Sequence, residues 1–484
     1  MSKKLLLITA ILLVTVLAVG VFAGCESYKN TKFEMDSVSV PALSNGGSVV
    51  YHGDYIYFIN GYSGYLDGFK ENWFGNVLKG AILRIKKSDV SDMSKAEVIV
   101  PKSVISDSEN RGFSIYGEYI YYTSSSATET KSGTVDTSEL QFMRTRLDGQ
   151  NTAIILKIAN GLSTTYKYTP AGLVYLSDGT LYFKSTSGKL NSKKKGDVIA
   201  EKVSAVHFPV SQTYDPSKGY AVADHFFYTK ASEETGNYTN QLYVASADGK
   251  VNKKIIDQFT YTKTPATDSK NAFSISVVAS RDEGSALTLL YKKSYYLGTS
   301  SSAIVDGMYM YKFDNSSFNF DPAKEIKLTA TNISAAYVVS YDQGFLATSG
   351  TLTLYSYDFT TASANAPVVF ADKTATNKIS SATVIGVDQG YVYYYNSDAK
   401  VYRYKMDGSA NVEYIGSNKM KTDFIAPELV AADDATYVYY FNTDKGDYLY
   451  RLNASGYDRK ESKSDDILFG IMTSEDAAKY AEKK

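Results

Sequence analysis

The chain has 484 residues, with Lys+Arg 51 against Asp+Glu 52 and a formal charge of -1. So even a balance excludes wholesale nucleic-acid binding, which needs a strong basic excess. A single cysteine excludes an intrachain disulfide and any multi-cysteine metal site. The 43 tyrosines point to half-buried sheet, because the ring favours strands while its hydroxyl can stay wet.

In chain order, the first element is an export segment. Lys3 and Lys4 precede an uncharged apolar run over residues 5–22, and Ala23-Gly24 stand immediately before Cys25. A basic start, an apolar run and a small-residue end have the form of a signal peptide. Residues 1–25 resemble a bacterial lipoprotein signal, although Phe22 occupies a position where leucine is usual. The resemblance implies cleavage after residue 24 and lipid on Cys25, holding the protein on the outer face of a cell membrane. Several acyl chains on one residue exceed what stable anchoring needs. An uncleaved membrane span is the alternative, the run being of borderline length for a bilayer. Residues 25–46 read as a lipidated N-terminus and tether, with one strand over 37–40.

A repeating pattern follows over residues 47–462. Residues 391–395 alternate Tyr with Val and Tyr, a turn follows at 396–399, and 401–406 alternate again before Asp407-Gly408. Period-2 patterning closed by an Asp-Gly turn predicts a hairpin. Eight units share that form, each with four short strands. Unit one has strands at 49–51, 55–60, 81–86 and 97–100. Unit two has 113–116, 119–123, 140–147 and 153–157. Unit three, with a poorly matched second half, has 173–176, 180–184, 198–202 and 205–210, and unit four has 219–222, 225–229, 241–246 and 253–256. Unit five has 274–279, 286–291, 308–313 and 325–328, and unit six has 336–340, 345–348, 351–357 and 367–370. Unit seven has 382–387 and 412–415 flanking the hairpin, and unit eight has 428–431, 437–442 and 448–453 with a weak remainder. Four-strand repeats at this spacing predict an all-β β-propeller of about eight blades, seven remaining open. Charges such as Arg403 are expected at blade margins, stems over apolar surface and heads in water. Residues 463–484 read as a C-terminal tail, or a short helix over 474–484.

The phrase Tyr-Val-Tyr-Tyr-Tyr-Asn, followed by Val-Tyr-Arg-Tyr-Lys-Met-Asp-Gly-Ser, resembles Tyr-rich propeller repeats of a bacterial family of unknown function, themselves similar to YWTD propellers. The resemblance implies fold and an extracytoplasmic setting, and no activity, because a propeller hosts many functions.

Residues with chemistry are sparse. His52, His207 and His225 lack the paired spacing of a metal site, and no nucleophile elbow, phosphate loop or His-Glu-x-x-His occurs. No cofactor, metal or catalytic residue is expected. Asp282-Glu283, Asp433-Asp434, Asp444 and Asp447 offer acid–base pairs, but each sits at a turn, where Asp caps backbone. Asp314, Asn315, Asn319 and Asp321 carry oxygens for calcium without the glycine-centred loop pattern. Lys193-Lys194-Lys195, near Lys184 and Lys189, is the one dense basic run, read as a solvated loop or as a contact for anionic lipid or wall polymer.

Loops joining second to third strands share one face of a propeller. They are long in units one to five and short in six to eight. In unit one the loop carries Tyr62, Tyr65, Phe69, Trp73 and Phe74, flat aromatic surface suited to an envelope glycan, peptide or protein. A plug of the channel by the same rings is the structural alternative. The expected function is a membrane-tethered, non-enzymatic propeller that binds a ligand or partner protein. An envelope carbohydrate-active hydrolase or lyase, and an assembly or sensor accessory of another membrane protein, are the alternatives.

Overall fold

The computed structural model describes residues 32–480, apart from 39–44, 63–78, 106–111, 212–224, 232–239, 257–269, 370–381, 456–465 and shorter loop stretches. Cys25 and the export segment, and Tyr65, Phe69, Trp73 and Phe74, lie outside the described residues. Among the described residues no helix is long and apolar enough to cross a membrane.

Among the described residues, tyrosine- and valine-rich alternation builds eight sheets of four or five strands, antiparallel except where Val210–Ser211 runs parallel to Lys270–Asp282 at the inner edge of blade five. Blade one is typical. Its inner strand Val49–His52 turns at Gly53-Asp54 into Tyr55–Ile59, which pairs with Ile82–Lys86 and then with Glu97–Val100. Both faces of such a sheet are apolar, so burial requires a neighbour on each side. Phe142 of blade two meets Tyr166 of blade three edge-on at 4.8 Å. Val174 and Leu181 of blade three share a core with Phe226 and Tyr228 of blade four. Phe227 and Leu242 of blade four pack with Leu287 and Tyr311 of blade five. Leu290 and Met308 of blade five meet Tyr357 of blade six, and Tyr393 and Val401 of blade seven meet Val438 and Tyr448 of blade eight. Blade eight returns to blade one through Tyr437, Tyr439, Phe441 and Phe469, in one core with Val50 and Phe58. The all-β propeller expected from the repeats is the fold observed.

Among the described residues the ring meets itself without exchanging a strand. Blade one uses consecutive strands, and so does blade eight: Glu428–Ala431, Thr436–Asn442, Tyr448–Asn453 and Ile467–Leu468. Among the described residues, side chains and the backbone bridge of Gly61 to Tyr448 hold the seam. The outer strand Ile467–Leu468 lies within the segment read as tail, and the helix Ser474–Tyr480 follows it, fastened where the Tyr448 hydroxyl donates to Asp476 at 2.6 Å.

Three expectations are corrected. In blade three the strands are Tyr166–Tyr168, Gly172–Ser177, Thr180–Ser185 and Asp197–Ala200, one place earlier than the sequence reading, and Val203–His207 is the inner strand of blade four. Two adjacent tight turns, at 169–171 and at Asp178-Gly179, make the pattern look in phase either way; residues 219–222 lie outside the described residues. The long second-to-third loop expected in unit three is therefore that two-residue turn. In blade five the segment 294–307 is mostly strand: Ala286–Leu297 pairs with Ile304–Asp314 as a long hairpin. Finally, Ser37 and Val38 form no strand, residues 39–40 lying outside the described residues.

Candidate functional site at the seam of blades eight, one and two

The N-terminal segment enters the ring. Asn45–Gly47 pairs antiparallel with Phe113–Tyr116, the inner strand of blade two, on the channel side of that blade. Upstream, the Phe33 amide donates to the Asp148 carbonyl at 3.0 Å. Asp36 is buried against the first turn of blade one: its carboxylate accepts from the amides of Ser37 and Asp54, from the Tyr57 hydroxyl at 3.2 Å, and faces His52 Nδ1 at 2.9 Å. Gly53, at φ +50, permits this, because a Cβ there would lie 2.1 Å from an Asp36 oxygen. The hydrogen bonds from His52 and two amides, with the histidine's charge, outweigh burial and hold Asp36 below its ordinary 3.8.

Tyr57 links Asp36 to Arg84, a guanidinium with no exposed side-chain surface. Arg84 donates from Nε to Glu97 at 2.7 Å, from Nη1 to the Leu147 carbonyl at 3.1 Å and from Nη2 to the Glu34 carbonyl at 2.7 Å. It also lies 4.1 Å over the Tyr55 ring. Burial pushes the Tyr57 hydroxyl far above its ordinary value, so it stays a neutral donor.

The same arrangement recurs. Arg144, Arg403 and Arg451 stand opposite Tyr121, Tyr393 and Tyr439, as Arg84 stands opposite Tyr57, and each lies 4.4 Å over the preceding tyrosine ring of its strand: Tyr119, Tyr391 and Tyr437. Three of the four reach the next blade at one structural position, the first residue after its third strand. These acceptors are the carbonyls of Leu147 for Arg84, Thr186 for Arg144 and Ala454 for Arg403. Arg403 also pairs with Glu413 at 2.5 Å. The expectation of wet arginine heads at blade margins is thus wrong for Arg84 and Arg403: the tyrosine faces and a neighbour's carbonyl replace water, so the charge can be buried. In blade five the cation comes from the second strand instead, Lys293 lying 4.0 Å over Tyr309 of the third strand and 2.6 Å from Glu325.

At the blade eight–one seam a carboxylate, Glu428, opens the inner strand of blade eight, opposite Tyr439 and on the other side of it from Arg451. It accepts from the amide and hydroxyl of Ser48 and from the Val49 amide at 3.3 Å, while the hydroxyls of Tyr51 and Tyr439 lie 2.7 Å apart. Burial raises its pKa above the ordinary 4.5 despite those three donors.

Of the residues singled out in the sequence, Tyr62 lies at this seam. Its amide donates to the Asp447 carbonyl at 2.8 Å, its ring contacts Phe441, and Lys421 Nζ sits 4.5 Å over it. His207 is on blade four, burial lowering its pKa to about 4, and His225 packs on Phe318. Among the described residues no group of three His, Cys, Asp or Glu can hold a metal. Asp434 accepts from the Tyr437 hydroxyl, Asp444 from the Lys419 amide, Asp314 from Ser316 and Asp321 from the Ala323 amide; Asn319 takes Lys253. Glu283, Asp433 and Asn315 lie outside the described residues. Asp36 and Glu428 escaped the sequence reading; the one available signal for Glu428 was a carboxylate opening an inner strand where Val49 and Phe113 stand in other units.

No protein-family model and no curated protein matches the chain. Solved structures similar to it include the Dos1 propeller, at 9% identity over 89% of this chain and 96% of that one, with a TM-score of 0.41. Apo AztD from Citrobacter koseri is similar at 12% identity over 81% and 92%, TM-score 0.37. A post-proline cleaving enzyme from Rickettsia typhi is similar at 10% identity over 85% of this chain and 58% of that one, TM-score 0.39.

Proposed function

We propose that this is a non-enzymatic binding scaffold, held at the outer face of a membrane by lipid on Cys25, that offers its second-to-third-strand loops to a ligand or partner protein. The observation that carries the reading is the path of the N-terminal segment. Phe33 bonds to the Asp148-Gly149 turn and Asp36 to the Gly53-Asp54 turn, at the end of the ring opposite the second-to-third-strand loops. A tether upstream of residue 32 therefore leaves those loops facing away from its attachment point. The buried and part-buried charges support the same reading, since Asp36, Arg84, Arg403 and Glu428 are spent on holding segments and blades together.

Two experiments test it. Changing Cys25 to Ser and fractionating cells should leave an unprocessed or released chain where the wild type is processed and membrane-bound; the same unprocessed, membrane-bound form in both makes the first segment a spanning anchor. A soluble quencher should reach Trp73 fluorescence in the free protein, and an envelope glycan or peptide should protect it. Should Trp73 be inaccessible, and Trp73→Ala cost stability without changing binding to any surface component, the loop is a structural plug.

A further inference from the structure

The third-to-fourth-strand loop of blade three holds four exposed lysines, Lys189, Lys193, Lys194 and Lys195, with no acidic residue between Asp178 and Asp197. The loop is built rather than slack. Buried Lys184 reaches up from the third strand and donates to the carbonyls of Asn191 at 2.9 Å and Lys194 at 2.8 Å. The Tyr175 hydroxyl donates to the Lys195 carbonyl at 2.8 Å, and the Lys157 amide of blade two meets the Ser192 carbonyl at 3.3 Å. Leu190 packs into the core between blades two and three. Five fixed points thus hold four of the loop's carbonyls and one apolar side chain, while Lys189, Lys193, Lys194 and Lys195 stay exposed. Lys195 Nζ lies 5.4 Å over the Tyr182 ring. Asp197 follows the loop, and Glu139 on blade two is taken by Lys157 at 3.4 Å. Among the described residues no carboxylate pairs with the four lysines.

The placement of this loop matters as much as its charge. Strand direction alternates, so third-to-fourth loops share an end of the ring with first-to-second turns. That end is where Phe33 bonds to Asp148 and Asp36 to Asp54, so the N-terminal segment leaves the ring one blade away from the lysines. We infer that this loop is a docking surface for anionic lipid headgroups, which seats the propeller on the membrane with its second-to-third-strand loops turned outward. The inference rests on the tethered reading for its geometry and on the lysines for its chemistry: ammonium groups close to an anionic leaflet each strengthen adsorption several-fold, and a preformed loop spends no ordering entropy on contact.

The test uses the full-length chain as processed in cells, reconstituted with vesicles of phosphatidylcholine alone or with added phosphatidylglycerol. Flotation reports attachment and amine-reactive labelling reports lysine access. On anionic vesicles Lys193, Lys194 and Lys195 should label about ten-fold less than on neutral ones, while Lys419, exposed at the opposite end, labels equally on both. A variant with the four lysines changed to Gln should still float on neutral vesicles but lose any preference for anionic ones. Equal labelling on both vesicles overturns the docking surface even when the chain floats. If the wild type fails to float on neutral vesicles, the tether is wrong; docking then stands only if flotation on anionic vesicles occurs and is lost in the Gln variant, and falls if it does not. Protection by inorganic phosphate alone overturns it in favour of a small-anion site.

Discussion

Replacing Arg84 with methionine will destabilise the propeller by about 3 kcal/mol, the scale of breaking a buried, paired charge by removing one partner. Methionine keeps much of the stem's volume and removes every donor. The carbonyls of Leu147 and Glu34 then lose their partner, and the Tyr55 ring loses the cation above it. Glu97 loses its ion pair, but its side chain is 36% exposed and rehydrates, so it adds little. The loss should appear at one urea midpoint by every probe, because Arg84 joins blade one to blade two and to the N-terminal segment at once. Lysine at the same position should recover only part of the loss, having no planar fork to serve three directions. A methionine variant within about 0.5 kcal/mol of wild type, the range of ordinary surface changes, would show that the carbonyls find water instead.

The repeat sentence itself, Tyr-x-Tyr on one strand and Arg opposite on the next, was legible as a hairpin and as a propeller blade. Period 2 is a property of neighbours in sequence, and 391–406 displays it without ambiguity. The partner of the arginine was not legible. Leu147, Thr186 and Ala454 are joined only by being the first residue after a third strand, and they offer carbonyls, which every residue has. Hence no side-chain signal marks them, and charges with aromatic neighbours look like a solvated margin. Blade three was misphased for a related reason: its inner strand Tyr166–Tyr168 has only three residues, too few to show a period. Asp36 was illegible because its binding site is a turn closed by Gly53, sixteen or more residues on, and the segment around it has no pattern of its own. The aromatic loop stood out by composition, yet only Tyr62 among its rings is described, and that ring serves the seam.

Glu428 carries the second large effect, and its two substitutions should part company. Alanine removes the acceptor for the Ser48 amide, the Ser48 hydroxyl and the Val49 amide, stranding donors at the inner edge of the seam. One unsatisfied buried group costs about 1–3 kcal/mol, so Glu428→Ala should lose about 3 kcal/mol. Glutamine retains one carbonyl oxygen for these donors and should lose less. The pH dependence separates charge from shape. Because burial raises the Glu428 pKa, the native state holds this proton more tightly than the unfolded chain does. Its contribution is therefore fully present below the ordinary value of 4.5 and declines as pH rises through the raised one. Asp36 runs the other way: its lowered pKa gives stability that is present above 3.8 and is lost as pH falls through the lower value. Stability measured by urea from acid to neutral pH should thus climb with the ionisation of Asp36 and then decline with that of Glu428. Glu428→Gln should abolish the decline and leave the climb, whereas Asp36→Asn should flatten the climb and leave the decline. A Glu428→Gln profile that parallels wild type above pH 4.5 would mean that the carboxylate closing the ring stays solvated, with the seam held by the Gly61–Tyr448 bridge and the packing of Tyr51, Tyr439 and Phe469.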